Sequence, residues 1–337
     1  MVFLDYASTC PIVKFSSQQY GGFHCNPNAA YSYTERKVLM DCEERIKAAI
    51  GFKGGHVLYF RCATEAIDWL VGDIGGRAHS PYEHDACTLG VGIAPEKIVA
   101  ADFYIHQWVN HITGEIFDLK IIRSQLHKTC KLIVDATAGF GKAKLPSGLD
   151  NIADALFMSG HKIGCPELSF MWLSDNLCKW LGAAKDIRNQ WGLHHGSLSV
   201  ASVLALTDAV EWACENGDRV DGHSVRLYVQ MNDMLDKARI EHCDVLKHQM
   251  FTCSINAIRL NGINADALQQ FLASRGIYVG AGGSACSAAH DYRVLRAYGL
   301  TDDEASEVIR VSFGDETTVS DIEALVEGIK EYRRQFC

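Results

Sequence analysis

A chain of 337 residues, 48% hydrophobic and 22% charged, has material for one large or two modest globular domains with a buried core. Its net charge of -9 argues against a nucleic-acid or membrane surface held by bulk electrostatics, and no apolar run approaches the ~20 residues that a bilayer helix needs. Thirteen cysteines scattered singly, without a C-x-x-C pair, suit a reducing cytoplasmic setting and give no reason to expect a metal or a disulfide framework.

In chain order, Val2 to Tyr6 reads as a short strand ending in a turn at Ser8 to Pro11. No basic segment opens it, so a secretory signal is not expected. A Gly- and Asn-rich loop around Gly21-Gly22 and Asn26-Pro27-Asn28 leads to a helix predicted over Tyr33 to Ile50, closed by Gly51. His56 to Phe60 has the pattern of a buried strand, and it runs through Arg61-Cys62-Ala63-Thr64-Glu65 into a helix carrying Ile67, Leu70 and Val71. A strand, a tight turn and a helix N-terminus present free N–H groups and a positive dipole end to an anion, and Thr64 adds a hydroxyl. Ile98 to Ala101 and Leu132 to Val134 read as further strands, with Ile116 to Leu126 mostly helical between them. This alternation predicts an α/β fold built on a mostly parallel sheet with helices on both faces.

Ser199 to Glu215 reads as an apolar helix stopped at Asn216-Gly217, and an amphipathic helix through Val225, Tyr228, Met231 and Leu235 follows it. A strand near Ser254 to Leu260 and a helix from Asn264 to Ser274 come next. Capping boxes at Thr301/Glu304 and Ser320/Glu323 open two more helices. A domain boundary is placed near 216, giving a large domain over 13–216 and a smaller α+β domain made of 1–12 and 217–337. Two motifs are decoys: Phe140-Gly141-Lys142-Ala143 lacks the earlier Gly and the Ser/Thr of a P-loop, and Gly280-x-Gly282 lacks the acidic partner of a dinucleotide site.

The stretch Ser159-Gly160-His161-Lys162, after the apolar Ala155 to Met158, has a chemical use. A lysine amine of lowered pKa forms a Schiff base with an aldehyde cofactor. An aspartate such as Asp135, at the end of Leu132-Ile133-Val134, can hold the protonated ring nitrogen of pyridoxal phosphate. Thr64, His84, Asp135 and Lys162 each sit at or just after the C-terminal end of a predicted strand, the edge where open α/β sheets bind ligands. Alone, SGHK is equally well a surface lysine beside a capping serine and a core histidine.

Read in order, LDYAST-CP, NPNAAYSYTER, ATEA, EHDA, VDAT, SGHK, HGSL, GSACS and VIRVSFG resemble a cysteine desulfurase of the class V aminotransferase family, whose fold is that of fold-type I pyridoxal-phosphate transferases. The resemblance implies Lys162 as the Schiff-base lysine, Asp135 as the ring-nitrogen partner and His84 as the group stacked on the ring. It implies Ala63, Thr64, Ser159 and His161 around the phosphate, joined by Ser197 from the partner subunit of a homodimer. Arg310 would hold the carboxylate of L-cysteine, with Asn110 near it. Cys286, in a loop of small residues, would take the sulfur as a persulfide and pass it to a protein acceptor. Iron–sulfur assembly, tRNA thiolation and DNA phosphorothioation are family-level destinations.

Three departures from the family pattern stand out, and they point to a specialised branch. Ala138 replaces a Gln that bonds the cofactor's phenolic oxygen, His111 replaces the second of two Asn residues, and His194-His195 replaces an Arg ahead of the phosphate segment. Two other classes fit the residues: another enzyme of the same fold, such as a selenocysteine lyase or an aminotransferase, and a non-catalytic scaffold for a sulfur-transfer partner.

Overall fold

The computed structural model describes residues 1–23, 25–71, 77–88, 102–246, 249–282 and 292–336. Its first part runs β1 (Val2–Phe3), α1 (Tyr33–Ile50), β2 (His56–Phe60), α2 (Ala63–Val71), β3 (Arg77–His79), α3 (Asp85–Thr88) and β4 (Phe103–Gln107). Next come α4 (Leu119–Gln125), β5 (Lys131–Asp135), β6 (Ala155–Ser159), β7 (Ser169–Leu173), α5 (Asp175–Leu181) and α6 (Val200–Lys237). The remainder is β8 (His242–Asp244), β9 (Ile255–Leu260), α7 (Ala265–Ala273), β10 (Ile277–Tyr278), β11 (Gly280–Ala281), α8 (Arg293–Ala297), α9 (Asp302–Ala305), β12 (Val308–Ser312) and α10 (Val319–Phe336).

Six strands form the central sheet in the order β2-β7-β6-β5-β4-β3. Only β7 runs against its neighbours; β2, β3, β4, β5 and β6 all point one way. Both faces are covered, so the strands are apolar at successive positions rather than alternate ones. Leu132, Val134, Leu156 and Met158 pack on the α1 and α6 side, while Ile133, Ala155 and Phe157 pack against α2 and α5. A second, antiparallel sheet, β11-β12-β9-β8, has its own core with α7 and α10, and β1 pairs in parallel with β10 beside it.

Helix α6 joins the two cores: Val203, Leu206 and Val210 belong to the first, and Leu227, Met231 and Leu235 to the second. The helix break expected at Asn216-Gly217 is absent; 38 residues run unbroken through it. Apolar contacts along both halves outweigh the ~1 kcal/mol cost of one helical glycine. Helix α4 begins at Leu119, capped by Asp118, rather than at Ile116. Ser320 lies inside α10 rather than ahead of it; Thr318 precedes the helix and donates its hydroxyl to the Asp321 carboxylate at 2.8 Å. The strand read at 98–101 falls outside the described residues. Among the described residues no helix is long and apolar enough to cross a membrane.

Candidate active site

Because β2, β3, β5 and β6 share one direction, their C-terminal ends lie along one edge of the sheet, and the segments that leave them build a cavity of about 290 Å³. The turn after β6 depends on Gly160. A Cβ there would stand 2.1 Å from the Leu168 carbonyl oxygen and 2.5 Å from that of Cys165. Only glycine lets the chain fold this tightly and turn Lys162 toward the cavity, which Lys162 lines.

Asp135 ends β5 at the cavity wall, with its Oδ1 accepting the Thr137 N–H at 2.8 Å. His84 lines the cavity next to the His111 ring, 5.0 Å away and edge-on. Its Nδ1 accepts the Ala86 N–H at 3.1 Å, so a neutral ring carries its proton on Nε2. Burial first, and then Lys162, lower the His84 pKa and keep the ring neutral. At the start of α2, Ala63 and Thr64 line the cavity and precede the first N–H that the helix itself satisfies, that of Ala66. Ser159 and His161 complete this wall, His161 with its Nδ1 3.0 Å from the Thr9 hydroxyl.

Arg310 enters from β12 and is almost fully buried. Its Nε and Nη2 bond one oxygen of Asp5 at 3.2 and 2.7 Å, and its Nη1 donates to the His111 carbonyl at 2.8 Å. Three N–H groups of the guanidinium are thus engaged, which leaves two of its five for another ligand.

Behind Asp135 lies a buried acidic cluster that the sequence reading did not single out. Glu83, Cys87 and Asp135 bring their ligand atoms within 4.8 Å of one another. Glu83 Oε1 accepts the Ser80 hydroxyl at 2.5 Å and the Gln107 N–H at 3.0 Å, while Oε2 has no partner. Burial pushes the Glu83 pKa up to about 8, with the Asp135 charge contributing in the same direction, so this carboxyl is mostly protonated at pH 7. Its place directly before His84 was the one available signal, because the partners come from separate strands.

Two expected site residues lie elsewhere, and a third is not among the described residues. Asn110 is fully buried but outside the cavity: its Oδ1 accepts the N–H groups of Ile112 and Thr113, both at 2.9 Å, and its Nδ2 faces the Tyr82 carbonyl. The side chain therefore closes a turn, and His111 lines the cavity in its place. Ser197 is exposed and outside the cavity of its own chain. Cys286 lies outside the described residues.

The donor set fits pyridoxal phosphate. A helix N-terminus with a hydroxyl suits the phosphate, a carboxylate suits the ring nitrogen, a neutral imidazole suits the ring face and a lysine suits the aldehyde, and all face one cavity. The wall lacks an amide at position 138, where Ala138 offers only a methyl group.

Comparison with known proteins agrees with this geometry. A family model described as Aminotransferase class-V matches residues 100–325. The cysteine desulfurase IscS of Mannheimia succiniciproducens is 28% identical over 98% of this chain and 92% of its own length. Among solved structures, a NifS-like protein superposes with a TM-score of 0.82 at 19% identity, covering 99% of this chain and 100% of that one. A NifS-like protein from Rickettsia africae gives 0.81 at 18% identity, covering 99% of each chain.

Proposed function

The chain belongs to the class V aminotransferase family, and from that premise we propose that it is a pyridoxal-phosphate-dependent cysteine desulfurase converting L-cysteine to L-alanine. The observation that carries this reading is the meeting of Asp135 and Lys162, from the ends of two adjacent parallel strands, in one cavity with His84, the start of helix α2 and Arg310.

Bound in this cavity, pyridoxal phosphate supplies an electron sink for the bonds broken at the substrate. Asp135 holds the proton at the ring nitrogen, and Ala63 and Thr64 receive the phosphate at the positive end of α2. Lys162 anchors the aldehyde and serves as the base at the substrate Cα, with neutral His84 beside it. Arg310 orients the substrate carboxylate through the two N–H groups that Asp5 and His111 leave open. The Cys286 thiolate attacks the substrate sulfur; as the S–S bond forms, the substrate's Cβ–S bond breaks, its electron pair stays with the carbon fragment, and Cβ takes up a proton to become the methyl group of alanine, leaving a persulfide on the enzyme. A protein acceptor then takes that sulfur.

The exposure of Ser197 outside its own cavity supports a homodimer in which this loop serves the partner's phosphate. The scattered cysteines support a cytoplasmic setting. The same reading assigns 13–216 to the cofactor and gives 1–12 with 217–337 the residues that hold substrate and sulfur.

The test is an absorbance spectrum of the purified protein before and after L-cysteine, with Cys286→Ala alongside. The expected result is a yellow protein in both cases, with alanine and sulfide produced only by the parent chain. A colourless protein after expression with ample cofactor would overturn the reading in favour of a scaffold. Undiminished alanine production by Cys286→Ala, or transamination of pyruvate or glyoxylate in its place, would move it to another enzyme of this fold.

A further inference from the structure

His84 hangs from a stretch of backbone that distant side chains hold in place. Pro81, Tyr82 and Glu83 precede it in the connection from β3 to α3, outside any strand. Main-chain carbonyls without a ladder partner must find one elsewhere. Here each carbonyl receives a side-chain donor. Arg293 Nη1 donates to the Pro81 carbonyl and its Nη2 to that of Glu83, both at 2.6 Å, while Gln107 Nε2 donates to the Tyr82 carbonyl. Arg293 Nη2 also reaches Asp85 Oδ1 at 3.2 Å, so one guanidinium grips the chain on both sides of His84.

Arg293 opens α8, and the same helix holds the segment of the other cavity histidine. Val294 and Leu295 share one buried cluster with Ile112, the residue after His111, and with Ala257 of β9 and Val308 of β12. At the far end of the helix, the Tyr298 hydroxyl donates to Glu115 Oε2 at 2.5 Å and accepts the Thr113 hydroxyl at 3.1 Å. The Tyr82 ring lies 4.9 Å from the Tyr298 ring and joins the two grips. Strand β12 also carries Arg310, which donates to the His111 carbonyl at 2.8 Å. Helix α8 is therefore wedged between the second sheet and the segments that present His84 and His111, whose rings stand 5.0 Å apart.

A guanidinium offers its N–H groups in a rigid fork, and charge-assisted bonds from it are short and strong. Two carbonyls, those of residues 81 and 83, take that fork, and the backbone they fix leads directly into His84. We propose that Arg293 is a positioning residue that sets where the His84 ring stands in the cavity, tying that ring to the sheet that carries Arg310. A misplacement of ~1 Å far from the chemistry can cost on the order of a hundredfold in rate, so such a tie has a kinetic consequence. The role rests on the reading of His84 as the group at the cofactor's ring face, but its physical content, the placement of His84, can be measured in the cofactor-free chain.

The experiment is acylation of the histidines of the full, cofactor-free chain with diethyl pyrocarbonate, the rate at each ring read by mass spectrometry. His161, which lines the same cavity and is held by Thr9, is the internal control. Arg293→Met should raise the His84 rate about threefold or more and leave the His161 rate as it is. Arg293→Gln, measured alongside so that the result does not depend on how one side chain packs, should do the same. With cofactor bound, kcat for L-cysteine should fall about tenfold in both variants while KM changes by less than about threefold, because the contact at Arg310 is retained. An unchanged His84 rate in both variants, or an equal rise at His161, would overturn the inference, and so would a raised KM without loss of kcat. Failure of the parent chain to release alanine from L-cysteine counts instead against the reading of the site, and the acylation rates then still decide the role of Arg293.

Discussion

One carboxylate oxygen of Asp5 receives both Nε and Nη2 of Arg310, so the N-terminal segment props the residue assigned to the substrate carboxylate. The pair is nearly dry, with side-chain exposures of 13% and 5%. Removing one member of a buried ion pair leaves the other charged and unpaired, at about 3–5 kcal/mol. Asp5→Ala is expected to lose stability on that scale in urea denaturation. In steady-state kinetics its KM for L-cysteine should rise about tenfold or more, with kcat falling less, because the guanidinium remains but loses its orientation.

Glu83 predicts a pH dependence of opposite sign to that of most carboxyls. Its folded pKa, about 8, is raised above the ordinary value of 4.5. The native state therefore holds a proton that the unfolded chain has released. The stability from this group is full below pH 4.5 and is lost as pH rises to about 8, with a slope of up to about 1.4 kcal/mol per pH unit. Glu83→Gln mimics the neutral acid and should flatten this component. Buried His106, lowered to about 4, acts the other way and loses its stabilisation as pH falls from 6.5. The quantity to measure is therefore the difference between parent and Glu83→Gln unfolding free energies from pH 5 to 8. A difference that does not change with pH would show that Glu83 is ionised throughout.

Local signals read α1 correctly at both ends, because Gly51 in the left-handed region, at φ 73°, stops the helix where the apolar periodicity ends. The strand-end positions of Thr64, Asp135 and Lys162 were legible for a related reason: each follows a short apolar run closed by a polar turn, whereas the strand ahead of His84, Arg77–His79, has no such run. β7 was not read, since Ser169–Leu173 is buried on both faces and carries no alternation to mark it as a strand. Asn110 misled because its sequence position near the cavity says nothing of the turn that occupies its amide. Continuity of α6 through Gly217 is likewise set by partners distant in sequence.

Gln190 closes an otherwise open sheet edge. Its Oε1 accepts the Tyr59 N–H at 2.7 Å and its Nε2 donates to the Tyr59 carbonyl at 3.2 Å, so one side chain replaces a neighbouring strand for β2. To reach this place Asn189, Gln190 and Trp191 all adopt the left-handed region, with φ of 49°, 51° and 62°. Such strain persists only where contacts hold it. Gln190→Ala strands a buried donor and a buried acceptor and is expected to cost about 2–4 kcal/mol. Urea denaturation measures the loss, and hydrogen exchange should locate it at the Tyr59 amide.

Gly217 offers a gain rather than a loss. It lies within α6 at helical geometry, and a Cβ added there would meet only the Ala143 carbonyl oxygen, at an ordinary 3.6 Å. Nothing in the packing requires the missing side chain, so the residue contributes backbone freedom to the unfolded state and little to the folded one. Gly217→Ala is expected to raise stability by about 0.5–1 kcal/mol. Equilibrium denaturation checks the sign. Because the helix ties the Arg310 side of the site to the sheet that carries Lys162, the same variant should keep the KM for L-cysteine of the parent chain. A destabilised Gly217→Ala would mean that α6 bends at this point and that the two cores move against each other there.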